Sequence, residues 1–239
     1  MIPYRDESRV PIFPFVVYGL VAVNVAVFIS EIGQPTMGAR DAFVDANALI
    51  PYDLTHGVQL APGPPTLFTL ITSQFVHASI LHIVSNMLFL VVFGPEIEYL
   101  VGHFRFLGFY LLCGVLGNLA ELAMMPGSHV PGIGASGAIA GVLGAYALRF
   151  PTNSIATIVP IGCFPLFLRL PAIFVIGLWA VTQFVQGFSP QATGMVAHAQ
   201  QGGIAYFVHI GGFLAGVLLI GFFARAVPRR QGRRYRYYH

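Results

Sequence analysis

Residues 136–150 read Ser-Gly-Ala-Ile-Ala-Gly-Val-Leu-Gly-Ala-Tyr-Ala-Leu-Arg-Phe, an apolar run with a serine at one end and an arginine near the other. The residues before it, Pro131-Gly132-Ile133-Gly134, are turn material rather than helix material. As a helix the run rises about 1.5 Å per residue and ends roughly 7 Å short of the hydrocarbon thickness of a bilayer. The rest of the chain shows that a bilayer is its setting.

Of the 239 residues, 56% are hydrophobic and 9% charged, and the mean hydropathy is +0.75. A soluble domain carries roughly 25% charged residues, so this chain cannot coat a water-facing surface and belongs in lipid. Further apolar segments occupy residues 12–30, 80–100, 104–125, 171–188 and 205–224. The first follows Arg5 and Arg9 as a signal peptide would, but it is long enough to span and no A-x-A cleavage site follows, so it reads as a retained span. The pattern predicts an all-α polytopic membrane protein of six transmembrane helices. Its parts are a cytoplasmic N-terminal segment at 1–11, a six-span domain at 12–224 and a basic tail at 225–239. Residues 31–79 read as a long outer loop rich in Pro, Gly and acids, and residues 151–170 as an inward-facing linker. The later part of the outer loop, 66–76, is amphipathic and suits the membrane interface.

Arginine placement sets the orientation. The chain has no lysine. With the N-terminus inside and the spans alternating, Arg5, Arg9, Arg105, Arg149, Arg169 and the tail arginines 225, 229, 230, 233, 234 and 236 all face the cytoplasm, and only Arg40 faces out. The tail cluster suits an anionic leaflet, and no nucleic-acid partner is expected. Because Arg149 anchors the inner end of the short fourth segment, its shortfall lies outside. Ser136 then sits below the outer surface, and residues 131–134 enter as irregular backbone. Such backbone is tolerated at depth only inside protein or against a wet cavity. This implies a water-filled pocket that opens outward, with Ser136 on its floor.

Three constellations carry chemistry. Ser136 lies in Gly134-Ala135-Ser136-Gly137, at a helix N-terminus whose free N–H groups favour developing negative charge. The plainer role of a serine there is an N-cap. His209 lies inside the last span, where a histidine is costly. Gly212 and Gly216 share its face, and Gly137, Gly141 and Gly144 line a matching face on the fourth helix, so the two can pack backbone to backbone and bring Ser136 to His209. A packing histidine bonded to a carbonyl is the alternative. His82 and Asn86 are four apart near the outer end of the second span, after His77. Both can donate to an oxyanion, and both can equally knit helices together. Together the three supply a nucleophile, a base and oxyanion donors in the outer half of different spans.

The nine acids narrow the chemistry. None sits in the spans near Ser136 or His209; Glu121, near the outer end of the third span, reads as a helix-end or interhelical partner, so a Ser–His dyad is the natural assignment. A metalloprotease would need H-E-x-x-H, and an aspartyl intramembrane protease two carboxylates in spans; neither is present. Cys113 and Cys163 show no metal spacing, and a structural disulfide is not expected. No cofactor and no metal are expected.

At this point the chain resembles the rhomboid family over roughly residues 11–224. His77-x4-His82-x3-Asn86, Gly134-x-Ser136-Gly137 and His209-x2-Gly212-x3-Gly216 fit the family's motifs in the right order and spans. The resemblance implies a bacterial-type intramembrane serine endopeptidase of the plasma membrane, with both termini cytoplasmic. It would cleave single-span or other membrane-protein substrates in or beside their transmembrane segments. Ser136 would be nucleophile, His209 general base and acid, and His82, Asn86 and the Ser136 N–H the oxyanion donors. It further implies substrate entry near residues 171–188 and an outer loop that stabilises the core. Two departures stand out. Some members stack an aromatic residue, four positions after the nucleophile, on the catalytic histidine; here Ala140 stands there, so something else must orient His209. Some carry a Trp-Arg pair in the first outer loop, whereas the single Trp is Trp179. A catalytically inactive rhomboid-like protein that binds clients is the alternative reading, and a transporter built on broken helices is a third.

Overall fold

The computed structural model describes residues 1–8, 10–59, 62–161, 164–188 and 205–224. Arg9, Cys163, the loop 189–204 and the basic tail from Arg225 onward, including its arginines, lie outside the described residues. The chain is a helical polytopic membrane protein. Its elements are β1 (Ile2–Asp6), α1 (Phe15–Ile32), α2 (Met37–Asn47), α3 (Pro51–His56), α4 (Thr69–Thr72, flanked by short 3₁₀ turns), α5 (Ile80–Val101), α6 (His103–Met124), α7 (Ser136–Arg149), β2 (Ser154–Ile161), β3 (Phe164–Pro171), α8 (Ala172–Gly187) and α9 (Tyr206–Phe223). Among the described residues α1, α5, α6 and α9 are long and apolar enough to cross a membrane. The other two helices at the expected segments, α7 with 14 residues and α8 with 16, are shorter.

The short helix α7 is the centre of the bundle. Every residue from Gly137 to Tyr146 is buried, because α5, α6, α8 and α9 surround it. A helix that is apolar all round can only be stable in such a position or in lipid. The glycines set how closely its neighbours approach. A Cβ on Gly212 would overlap the carbonyl of Gly137, one on Gly216 the carbonyl of Gly141, and one on Gly144 the carbonyl of Phe213. On the next face of α9, a Cβ on Gly211 would collide with Ala120 of α6. Thus α9 lies wedged between α6 and α7 with backbone against backbone. In lipid there is no hydrophobic drive between helices, and close van der Waals packing of this kind is what holds them together. Bulky side chains fill the core elsewhere, where Phe93, Ile97, Phe106, Phe109, Tyr110 and Tyr146 are fully buried.

Two regions depart from the sequence expectation. Residues 154–171 form a hairpin, β2 and β3, rather than a plain linker, and β1 adds to it in the antiparallel order β1-β2-β3. The third strand comes from some 150 residues away, so no local pattern announced the sheet. It is tied to α7: the Tyr146 hydroxyl donates to the Asp6 carboxylate, and Asn153 Nδ2 donates to the Tyr146 oxygen at 2.9 Å and to Ser8 Oγ at 3.0 Å. The outer loop, likewise, is mostly helical. Thr36 caps α2 by accepting from Ala39 N–H at 3.1 Å. In the 66–75 stretch Leu67, Phe68 and Ile71 are exposed while Leu70, Ser73 and Gln74 are buried.

Two buried carboxylates organise the ends of α1. Glu98 on α5 is fully buried and accepts from the N–H groups of Val16 (3.1 Å) and Val17 (2.8 Å), capping α1 from outside. Glu31, at the other end of α1, is also fully buried and accepts from Arg40 at 2.7 Å and from the His77 N–H at 3.3 Å.

The seam between α7 and α9 yields a prediction with an internal control. Gly216→Ala is expected to lower thermal stability in detergent by about 2 kcal/mol or more, as overpacking does. Gly221→Ala, on the same helix with open space around it, is expected to be neutral or mildly stabilising through helix propensity. Equal effects of the two would remove the seam's claimed importance.

Candidate active site

The approach to α7 is built by the outer loop. Residues 131–135 run as irregular backbone, and the outer loop pairs several of their polar groups. Gly132 and Leu49 exchange two backbone hydrogen bonds, 3.0 and 2.7 Å, as an isolated antiparallel bridge. The Gly134 N–H donates to the Ser73 carbonyl at 2.8 Å. The Ala135 N–H faces His77 Nε2 at 3.5 Å, while His77 Nδ1 lies 3.3 Å from the Phe75 carbonyl. The carbonyl can only accept, so Nδ1 carries the proton and Nε2 is the acceptor. Gly134 has φ +121°, a backbone conformation that only glycine adopts readily. It also has no room for a side chain: a Cβ there would lie 2.8 Å from the His82 ring and 3.7 Å from Ser136 Oγ. One glycine therefore makes the turn and lets the His82 imidazole approach the serine.

Ser136 is the first residue of α7, and its side chain makes no capping bond. Its Oγ lies 2.7 Å from His209 Nε2. The partner is reached across the glycine seam, since Gly212, three residues after His209, meets Gly137, one residue after Ser136. Both ring nitrogens of His209 are engaged. Nδ1 lies 2.7 Å from Oε1 of Gln183 on α8. The Trp179 ring, one turn earlier on α8, has its centroid 5.8 Å from that of the imidazole. Sequence reasoning missed Gln183. The signal available was a glutamine four residues after the lone tryptophan in a mostly apolar helix, and such a residue is expensive in a span unless it has a partner. With Ala140 in the position of the aromatic residue, Gln183 and Trp179 of α8 are the neighbours of the His209 ring.

His82 and Asn86 lie one turn apart on α5, whose N-terminus is capped by Ser79 accepting from the His82 N–H at 3.1 Å. The rings of His77 and His82 meet edge to face at 5.1 Å. Asn86 is buried, and its Nδ2 has no acceptor. A buried amide donor left unpaired costs about 1–3 kcal/mol, and such a cost is tolerated where a donor is held ready for an acceptor. Gly137, Gly141, Gly212 and Gly216 line the seam as described above. Glu121 is buried at the outer end of α6, and Asn118 on the same helix donates to the Leu70 carbonyl (2.9 Å) and to Ser73 Oγ (3.0 Å). Among the described residues no group of three or more His, Cys, Asp or Glu side chains is placed to hold a metal ion. The arrangement presents a hydroxyl bonded to an imidazole at a helix N-terminus, with the His82 ring close by.

Comparison with known proteins shows the family. A family model described as a Rhomboid domain matches residues 64–226. Rhomboid protein 1, mitochondrial, of Saccharomyces cerevisiae is 29% identical over 246 residues, covering 97% of this chain and 62% of that protein. Rhomboid-like protease 3 of Toxoplasma gondii is 29% identical over 161 residues, 67% of this chain and 53% of that protein. Inactive rhomboid protein 1 of Drosophila melanogaster is 35% identical over 80 residues, 34% of this chain and 6% of that protein. The chain thus spans between half and two thirds of the first two relatives' own length.

His77 supports a prediction on stability. Burial, and then the neighbouring His82, push its pKa down from 6.5 to about 4, against a weaker opposing pull from the Phe75 carbonyl. The unfolded chain takes up this proton near pH 6.5 and the folded chain only near 4. The stability held by the neutral ring is whole above 6.5 and is lost as the pH falls toward 4. Thermal unfolding across pH 8 to 4 is expected to show a loss on the order of 3 kcal/mol from this group. In His77→Gln the slope in that window should flatten, and stability at pH 8 should fall.

Proposed function

From the premise that the chain belongs to the rhomboid family, we propose that it is an intramembrane serine endopeptidase that cleaves transmembrane segments of other membrane proteins. The observation that carries this reading is the 2.7 Å contact between Ser136 Oγ and His209 Nε2 across two helices. The cap position of α7 is Ala135, and Ser136, the residue after it, turns its oxygen to His209 on another helix.

Ser136 Oγ attacks the scissile carbonyl carbon while His209 Nε2 takes the hydroxyl proton. The carbonyl oxygen becomes the oxyanion, held by the Ser136 N–H, the His82 ring and Asn86 Nδ2. The unpaired state of that amide supports its part. The tetrahedral species collapses, the C–N bond breaks, and the proton on Nε2 passes to the leaving amine. Water then attacks the acyl-serine, gives its proton to His209, and the second collapse returns that proton to Ser136. No cofactor or metal takes part. Preorganised donors in a site shielded from bulk water act far more strongly than they would in water.

In this reading the six apolar segments cross the membrane with Ser136 below the outer surface, and the 14-residue length of α7 supports that depth. The arginine distribution supports both termini on the cytoplasmic side of a plasma membrane. The segment 12–224 is the protease unit, flanked by the segment 1–11 and the basic tail. Its partners are lipid and membrane-protein substrates, single-span ones among them. Fractionation with protease protection tests the placement, because a protected tail is expected only if it faces the cytoplasm.

The inactive Drosophila relative keeps a client-binding reading in view, and one experiment separates the two. The purified protein in liposomes is expected to cleave a single-span substrate with small residues near its outer end, and to label at Ser136 with a fluorophosphonate. Ser136→Ala and His209→Ala, both folded, should lose cleavage entirely, and Asn86→Ala about 100-fold in kcat. Absence of both labelling and cleavage in the wild type would leave the client-binding reading standing.

A further inference from the structure

The hydrogen-bond chain that ends on Ser136 begins on α8, and it has a single polarity. The Trp179 carbonyl can only accept. Thr182 Oγ–H donates to it at 2.6 Å, which commits the hydroxyl proton. The Thr182 oxygen is then an acceptor for Gln183 Nε2 at 3.1 Å, and Nε2 also lies 3.5 Å from the Trp179 carbonyl. Both neighbours of Nε2 being acceptors, the amide nitrogen faces them and Oε1 faces His209. Oε1 can only accept, so the proton of the neutral imidazole sits on Nδ1. The lone pair is left on Nε2, 2.7 Å from Ser136 Oγ.

We propose that Gln183 is the positioning residue of the Ser136–His209 pair, locking the His209 imidazole in the Nδ1–H tautomer from a helix that carries neither member. This deepens the protease reading and rests on it for its catalytic meaning. The device suits its surroundings. An imidazolium formed on Nε2 still donates from Nδ1 to Oε1, and the bond strengthens as the charge appears. A carboxylate would do the same at the cost of desolvating a permanent charge; the neutral amide avoids it. Rotation of the ring is opposed as well, because Trp179 and Gln183, four residues apart on one face of α8, bracket it. The geometry also makes the pair depend on α8, whose buried side is confined to Ala172, Val175, Ile176 and Gly187.

The test uses the full chain in nanodiscs with two readouts. The first needs no turnover. The ¹⁵N shifts of the His209 ring, assigned by their loss in His209→Gln, are expected to show Nδ1 protonated and Nε2 bare in the wild type. In Gln183→Leu they should move to a mixture of tautomers. A wild-type ring protonated at Nε2, or one unchanged by Gln183→Leu, overturns the proposal. The second readout is cleavage. Gln183→Leu should lower kcat about 100-fold with KM nearly unchanged, as loss of a correctly oriented base does. Gln183→Glu, which keeps an acceptor, should recover most of that loss. A residue that merely filled space would give the reverse order, with the near-isosteric leucine tolerated and the buried charge worst. Should the wild type not cleave at all, the protease reading fails, and the ring shifts still decide whether Gln183 sets the tautomer.

Discussion

The contact on which the structure depends is between two backbones. The carbonyls of Gly137 and Gly141 on α7 occupy space that side chains on Gly212 and Gly216 of α9 would need. Packing density inside a bilayer comes from such fit, since lipid tails are as apolar as leucine and give helices no reason to leave them. The same contact fixes the chemistry. Gly137 follows Ser136 by one residue and Gly212 follows His209 by three, so seating one glycine on the other leaves the serine and the histidine within a single turn. Helices separated by ordinary side chains would stand a few ångströms farther apart, and a hydroxyl and an imidazole cannot bond across that gap.

Irregular backbone next to the seam imposes the second constraint. Residues 131–135 are half-buried or buried, and a free N–H or carbonyl that is shielded from water costs free energy unless it is paired. The outer loop supplies the partners: Leu49 for Gly132, Ser73 for Gly134 and His77 for Ala135. The loop is itself held by the buried carboxylate of Glu31 through Arg40 and the His77 N–H. What reads as a long connection is thus the support of the segment that leads into Ser136, and His77 belongs to that support.

Legibility in the sequence followed the range of the interactions. The helices at 12–30, 80–100, 104–125, 171–188 and 205–224 announced themselves because hydrophobicity along one helix is a local property. The short α7 was visible for the same reason. The sheet was not, since β1 meets β2 across about 150 residues and neither strand has a pattern that names its partner. The outer loop read as a long loop with an amphipathic later part, and its helices at 37–47 and 51–56 were not marked, because helices of eleven or six residues carry little periodicity and are stabilised by what they pack on.

The residue types therefore determined that this is a helical membrane protein with a serine at a helix start and a histidine inside a span, and that glycine-lined faces let those helices meet. Such facts are carried by composition, spacing and the cost of polar groups in lipid. Tertiary structure alone decided that the serine and histidine stand 2.7 Å apart, that Asn86 keeps an unpaired donor, and that a glutamine from a third helix holds the imidazole. A hydrogen bond depends on distance and direction to within a few tenths of an ångström. Those quantities are set by how three helices settle against one another, and no single helix's sequence contains them.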